Sequence, residues 1–321
     1  MRRLFSNRKA QIVFNGGLAA VVLTAALVGG RRFAHSGWPL QHADPLLATG
    51  AALLFLSAYA FKAWGWQRLF AVEERPPSGA LAFAGGAACV GGVALPGRLD
   101  DALRIAVVKR FPGVRTGLAS VALSLLVLGL LDNAALAPLA SVAAADADAW
   151  TVRVGFAVVA GAGVLAAAIV ASLPKVETWS FVLRFRLGRW LASRGHCNRR
   201  AAAALFFISI SWALRGTAVF LLLEALSLRG SFPLALAFLC ASAASAALPI
   251  APAGAATQAG AGAAILMASG VHAGDAVAFS VAAQVLVIGT GAVVMLSIAA
   301  WQMASRFRDR CQTPIPVSDT D

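Results

Sequence analysis

Apolar residues run in long stretches along this chain, from Ile12 to Gly30, Leu46 to Trp64, Gly79 to Leu95, Leu118 to Leu139, Val154 to Leu173, Ala201 to Leu226, Phe232 to Ile250, Ala255 to Gly270 and Ala276 to Trp301. A helix crossing a bilayer needs about 20 predominantly apolar residues, so the pattern predicts an all-α polytopic membrane protein. Composition agrees: 60% of the 321 residues are hydrophobic and 13% are charged. That balance excludes a soluble globular chain and a disordered one alike, and little of the length is left for a catalytic domain outside the membrane. The opening MRRLFSNRKA imitates a signal peptide, but the run after it ends in GGRRF without a small-residue cleavage site. It reads as an uncleaved first span entering from the cytoplasm.

Not every stretch can be a crossing. Gly79 to Leu95 and the segment around LPIAPAGAATQAGAGAA are short, rich in Gly and Ala, and interrupted by proline, the composition of broken or re-entrant helices. Tight helix packing through small residues explains the same composition, but not the charges. If both segments dip in and return to the face they came from, all of the 27 Lys and Arg except Arg31, Arg32, Arg153, Arg229 and the intramembrane Arg215 fall on the cytoplasmic side, as the positive-inside rule asks. Full crossings break that rule.

The predicted layout is about six full spans plus two re-entrant broken-helix hairpins in an inverted repeat. A cytoplasmic basic tail (1–11) precedes a first membrane repeat (12–139). An external acidic link (140–153) leads to a second repeat (154–301) and a cytoplasmic disordered tail (302–321). Segment 174–200 places Trp179, Val182, Leu183, Leu187, Trp190 and Leu191 at helical spacing among arginines. It is either an interfacial amphipathic helix or a solvated basic loop. Both termini are expected in the cytoplasm, with the chain in the plasma membrane.

Broken helices at membrane depth point to a binding site. In LPGRLDDALR, Pro96 and Gly97 free backbone donors, and Arg98 and Arg104 flank Asp100 and Asp101. A guanidinium grips phosphate through a planar fork, and a neighbouring carboxylate can hold that fork or receive an amine. In the second half Pro249 and Pro252 remove backbone donors, so a new helix can start near Gly254, its free N–H groups favouring anions. Thr257 and Gln258 follow one turn on. These residues form the expected headgroup site for an anionic amphipathic lipid. A basic loop that only anchors topology is the alternative for the first motif.

Asp132, Arg215 and Glu224 are charges inside full spans, and such charges are functional candidates by default. Asp132 and Arg215 lie equally far along their segments from Leu118 and Ala201, so they share a depth and can pair; contact with substrate is the other reading. The chain has no nucleophile elbow, HExxH motif or glycine-rich phosphate loop. The adjacent Asp100 and Asp101 point about 100° apart on a helix, which argues against an acid/base dyad. Its four cysteines and four histidines are dispersed. No catalytic residue, cofactor, metal or nucleic-acid partner is expected.

Taken together, LPGRLDDALR, the later LPIAPAGAATQAGAGAAILMASGVHAGDAVAFS and FKAWGWQRLF after the second stretch resemble the flippase-like transmembrane family of lysylphosphatidylglycerol synthases. The resemblance runs from about Asn15 to Ala300. Leu95, Pro96, Arg98 and Arg104 match its first motif, with Asp101 at the acidic position and Asp100 in place of a usual glycine. Pro252 to Gly254 fit its Pro-x-Gly turn, while Gln258 and Ala259 stand where an acidic residue is common. The resemblance implies an integral membrane protein handling amphipathic lipids. Some members carry a soluble aminoacyl-transferase half, which is not among these residues. The expected function is a stand-alone lipid translocase. The alternatives are a non-transporting accessory subunit of a membrane glycosyltransferase or lipid-modifying enzyme, and an integral membrane transferase.

Overall fold

A computed structural model describes residues 43–92, 99–176, 198–228, 230–246 and 254–312, and among these every regular element is a helix. In chain order they are α1 (Pro45–Arg68), α2 (Ser78–Gly91), α3 (Leu99–Arg110), α4 (Leu118–Asp146), α5 (Trp150–Val176), α6 (Asn198–Ala225), α7 (Phe232–Ala246), α8 (Gly254–Ala268) and α9 (Ala273–Gln312). The first apolar stretch (12–30) and residues 177–197 of the amphipathic segment lie outside the described residues. Five helices, α1, α4, α5, α6 and α9, are long and apolar enough to cross a membrane. The apolar α2, α7 and α8 have 14, 15 and 15 residues. At a rise of 1.5 Å per residue that is roughly 20–23 Å, short of a hydrocarbon core roughly 30 Å thick. Each is too short to cross alone. α4 continues past Leu139 to Asp146, and α9 carries on past Trp301 to Gln312.

The centre of the bundle is the antiparallel pair α1 and α6. Asp44 caps α1, accepting from the N–H groups of Leu46 and Leu47 at 2.8 and 3.3 Å. Pro45 fills the first turn, where a missing donor costs nothing. The Asp44 N–H donates to the Ala225 carbonyl at 2.9 Å, tying the start of α1 to the end of α6. Further along, the Ser211 hydroxyl donates to the Ala58 carbonyl at 2.8 Å. Gly65 then lets the helices close: a methyl there would sit 2.9 Å from Ile208 Cγ1 and 3.1 Å from the Ala204 carbonyl oxygen. Phe55, Trp66, Leu131, Ile208, Leu222 and Phe279 fill the interior. Leu126, Val158, Leu165, Phe206 and Leu296 stay exposed on the outside, a perimeter suited to lipid.

Around this pair the helices are arranged with a hidden regularity. Exchange α1 with α6, α2 with α7, α3 with α8 and α4 with α9. The neighbour pairs α2/α9, α1/α2, α1/α9, α3/α4, α2/α3 and α1/α4 then become α7/α4, α6/α7, α6/α4, α8/α9, α7/α8 and α6/α9, and all twelve are observed. The starts match too, Ser78 with Phe232, Leu99 with Gly254 and Leu118 with Ala273, at an offset constant to within one residue. Because α1 and α6 run in opposite directions, the exchange inverts the bundle. Only α5 lacks a described counterpart.

Candidate functional site

The tips of the two short-helix pairs, α2/α3 and α7/α8, meet beside α1 and α6, and between them lies a cavity of about 250 Å³. Cys89 and Gly92 at the end of α2 and Asp100 and Arg104 in the first turns of α3 form one wall. Ala246 at the end of α7, with Ala255 and Gln258 at the start of α8, form the opposite one. Tyr59, Lys62 and Trp66 from α1, Arg215 from α6 and Gln284 and Val287 from α9 complete it. α2 reaches this position because Gly86 lies against the backbone of Gly291; a methyl at Gly86 would come 2.5 Å from the Gly291 carbonyl oxygen. The Cys89 thiol and the Tyr59 hydroxyl both face the Val287 carbonyl, at 3.7 and 3.4 Å.

Three cations line this cavity among the described residues, and they differ in their partners. Lys62 donates to Asp132 at 2.8 Å, each side chain 20% exposed. The other Asp132 oxygen accepts from Trp212 Nε1 at 2.9 Å. Arg104 is held within its own helix by Asp101 at 2.9 Å and Asp100 at 3.5 Å. Arg215 has no carboxylate within 4 Å and no hydrogen bond among the described residues. Its guanidinium instead stacks on aromatic rings, 5.1 Å from the centre of Trp212 and 5.7 Å from that of Tyr59. Such cation–π contacts use none of the fork's N–H groups as hydrogen-bond donors, which leaves them available for an anion. The Lys62 ammonium lies 5.7 Å from the same Trp212 ring, so Trp212 joins Lys62, Asp132 and Arg215.

A second cavity of about 90 Å³ adjoins the first, sharing Tyr59, Arg215, Gln258, Gln284 and Val287. The rest of its wall includes Phe55, Val219, Phe238 and Leu239. Arg215 therefore stands where a polar chamber gives way to an apolar annex, an arrangement that accommodates a charged group carrying an apolar tail.

The expected Asp132–Arg215 ion pair does not form. Equal depth along two segments sets height and says nothing of azimuth: Asp132 faces Lys62 on α1, while Arg215 turns to Tyr59 and the chamber. Of the expected headgroup residues, Arg104 and Gln258 line the chamber, Asp101 braces Arg104, and Gly254 opens α8. Thr257 is half-buried and off the lining, and Glu224 is exposed at the end of α6. Pro96, Gly97, Arg98, Pro249 and Pro252 lie outside the described residues. Sequence reasoning missed Lys62, Tyr59, Trp212 and Gln284. A lysine inside the apolar run Leu46 to Trp64 was a legible signal; the aromatic and amide residues carried none. Among the described residues no group of His, Cys, Asp or Glu could hold a metal ion.

No curated protein and no solved structure matches the chain. Residues 12–295 match the family described as the lysylphosphatidylglycerol synthase TM region, a span that takes in both short-helix pairs and every residue lining the chamber. With that match over most of its length, this multi-pass membrane chain belongs to the lysylphosphatidylglycerol synthase transmembrane-region family.

Proposed function

We propose that the chain is a flippase-like membrane protein that binds the headgroup of a phosphate-bearing amphipathic lipid and carries it between leaflets, without catalysing a covalent step. The observation that carries this reading is the chamber, in which Arg215, Lys62 and Arg104 face a polar space inside an apolar bundle. Its volume of about 250 Å³ suits a headgroup and not the acyl chains, which stay among the helices. Membership of a family tied to lipid modification or translocation supports it. So does the inverted exchange of helices, which we read as two membrane repeats, 12–139 and 154–301. In this reading α2/α3 dips in from the cytoplasmic face and α7/α8 from the outer face of the plasma membrane, with both termini cytoplasmic. Charges buried at the meeting point of interrupted helices are how transporters of this architecture hold their cargo.

Proteoliposomes carrying fluorescent phosphatidylglycerol test the proposal. Added dithionite bleaches only outer-leaflet probe, so the purified protein should let bleaching proceed beyond the half seen in protein-free vesicles, and Arg215→Gln should restore the plateau. Bleaching that stops at the protein-free level, with lipid still bound to the protein, would point to a lipid-binding partner of a membrane glycosyltransferase or lipid-modifying enzyme. Neither transfer nor bound lipid would end the proposal.

A further inference from the structure

We infer that the chamber selects a headgroup bearing a single negative charge, a phosphodiester, against a diphosphate, and that Arg215 is the group that binds it. The inference rests on the lipid reading above and adds a rule of charge. Of the three lining cations, Lys62 is matched by Asp132 and Arg104 by Asp100 and Asp101, while Arg215 has no carboxylate within 4 Å among the described residues. One incoming negative charge satisfies Arg215 and leaves both ion pairs intact. Among the described residues a second charge is met only by taking Lys62 or Arg104 from its carboxylate and stranding that carboxylate in a low-dielectric bundle, where breaking a pair is far more costly than never having formed it. Among the described residues the rest of the lining does not absorb the excess: Gln258 and Gln284 are neutral, and Asp100 repels a second charge.

Geometry assigns the receptor role to Arg215. Contact with the Trp212 and Tyr59 rings restrains the guanidinium before a ligand arrives, and its planar fork can offer two N–H groups together to two phosphate oxygens. Lys62, a single ammonium on a flexible stem already donating at 2.8 Å to Asp132, offers no such pre-set pair. Arg215 also borders the apolar annex, which places the phosphate at the junction of headgroup and tail.

Isothermal titration of the purified full chain in zwitterionic nanodiscs tests this with two probes of identical chains, dioctanoyl phosphatidylglycerol and dioctanoylglycerol pyrophosphate. The diester should bind at least about tenfold more tightly than the diphosphate, as expected where like charge meets an already balanced site. Arg215→Gln should cost the diester about tenfold or more, with Arg215→Lys recovering part of it by charge but not by geometry. Asp132→Asn releases Lys62 and should shift preference toward the diphosphate. Asp100→Asn, whose side chain is 34% exposed, leaves Arg104 on Asp101 but removes a carboxylate that repels a second charge; it should shift preference in the same direction and serves if Asp132→Asn does not fold. A diphosphate that binds wild type as tightly as the diester overturns the inference, as does an unchanged preference in the folded carboxylate variants. Glycerophosphoglycerol binding as tightly as the lipid would remove the lipid reading and leave the charge rule standing. Failure of every anion to bind would remove both.

Discussion

Replacing Asp132 with Asn leaves the Lys62 ammonium inside the bundle with Arg104 and Arg215 across the same chamber and, among the described residues, no carboxylate within 4 Å. Breaking a buried ion pair from one side costs about 3–5 kcal/mol. Here each partner keeps 20% of its side-chain exposure, and the Trp212 N–H can still bond the amide oxygen, so the cost falls at or just below the bottom of that range, about 2–3 kcal/mol. In a chain of this size each kcal/mol is worth about 2–4 °C, so the apparent melting midpoint should fall by about 4–12 °C. Lys62→Met should cost a similar amount, because Asp132 then keeps only the indole. The double variant removes both charges and their desolvation and should recover about 1–3 kcal/mol of the summed loss as coupling. Thermal unfolding of detergent-purified protein, followed by size-exclusion recovery, reads all four corners of the cycle. Strictly additive losses, or a larger coupling of Asp132→Asn with Arg215→Gln than with Lys62→Met, would refute the pairing assigned here.

Gly86→Ala should loosen the seat of α2 on α9, because its methyl meets the rigid Gly291 carbonyl; thermal stability should drop, whereas Gly129→Ala, with nothing within 4 Å of the new methyl, should leave it unchanged or slightly raised. Asp44→Ala removes the cap of α1 and should lower stability by about 1 kcal/mol, visible as a small shift in the same melting assay. The topology predicts that single cysteines at Ala147 and Ser193, in a background lacking the native ones, label differently with an impermeant thiol reagent on intact cells; equal labelling would contradict the two-hairpin layout.

Much of the helix pattern could be read from the sequence because membrane spans declare themselves by length and apolarity, and because Pro and Gly mark where a helix stops. The short helices α2, α7 and α8 fall where Gly/Ala-rich stretches met proline. What the sequence could not supply was azimuth. Lys62 was counted with the cytoplasmic charges because it stands near the end of its apolar run, yet its side chain turns inward to Asp132. Arg215 reads from the sequence as a charge in an apolar stretch that can pair with Asp132, but a guanidinium lying over Trp212 and Tyr59 leaves no trace in charge pairing. Arg104 and Gln258, drawn from the two broken segments, do meet across one chamber. That convergence follows from the exchange symmetry of the bundle, which no local motif encodes.

The symmetry of the scaffold makes the asymmetry of its lining informative. Counted from their helix starts, Asp100 and Asp101 of α3 correspond to Ala255 and Ala256 of α8, and Arg104 corresponds to Ala259, one residue past Gln258. Equivalent positions thus carry charge on one tip and methyl groups on the other. A scaffold needing charge for packing alone would need it at both tips, because the neighbour pairs are the same on both sides. In the proposed function the charged tip serves the contents of the chamber rather than its walls, and the small neutral tip leaves room for them. Giving the second tip the same chemistry, with Ala255→Asp and Ala259→Arg together, preserves the local i,i+4 ion pair seen between Asp100 and Arg104 and should leave the helix intact. It should also narrow the chamber and place a second carboxylate opposite the first, so affinity for an anionic headgroup should fall while thermal stability changes little. If instead stability collapsed and binding to the surviving folded protein were unaltered, the difference between the tips would belong to packing, and the argument from symmetry to ligand would fail.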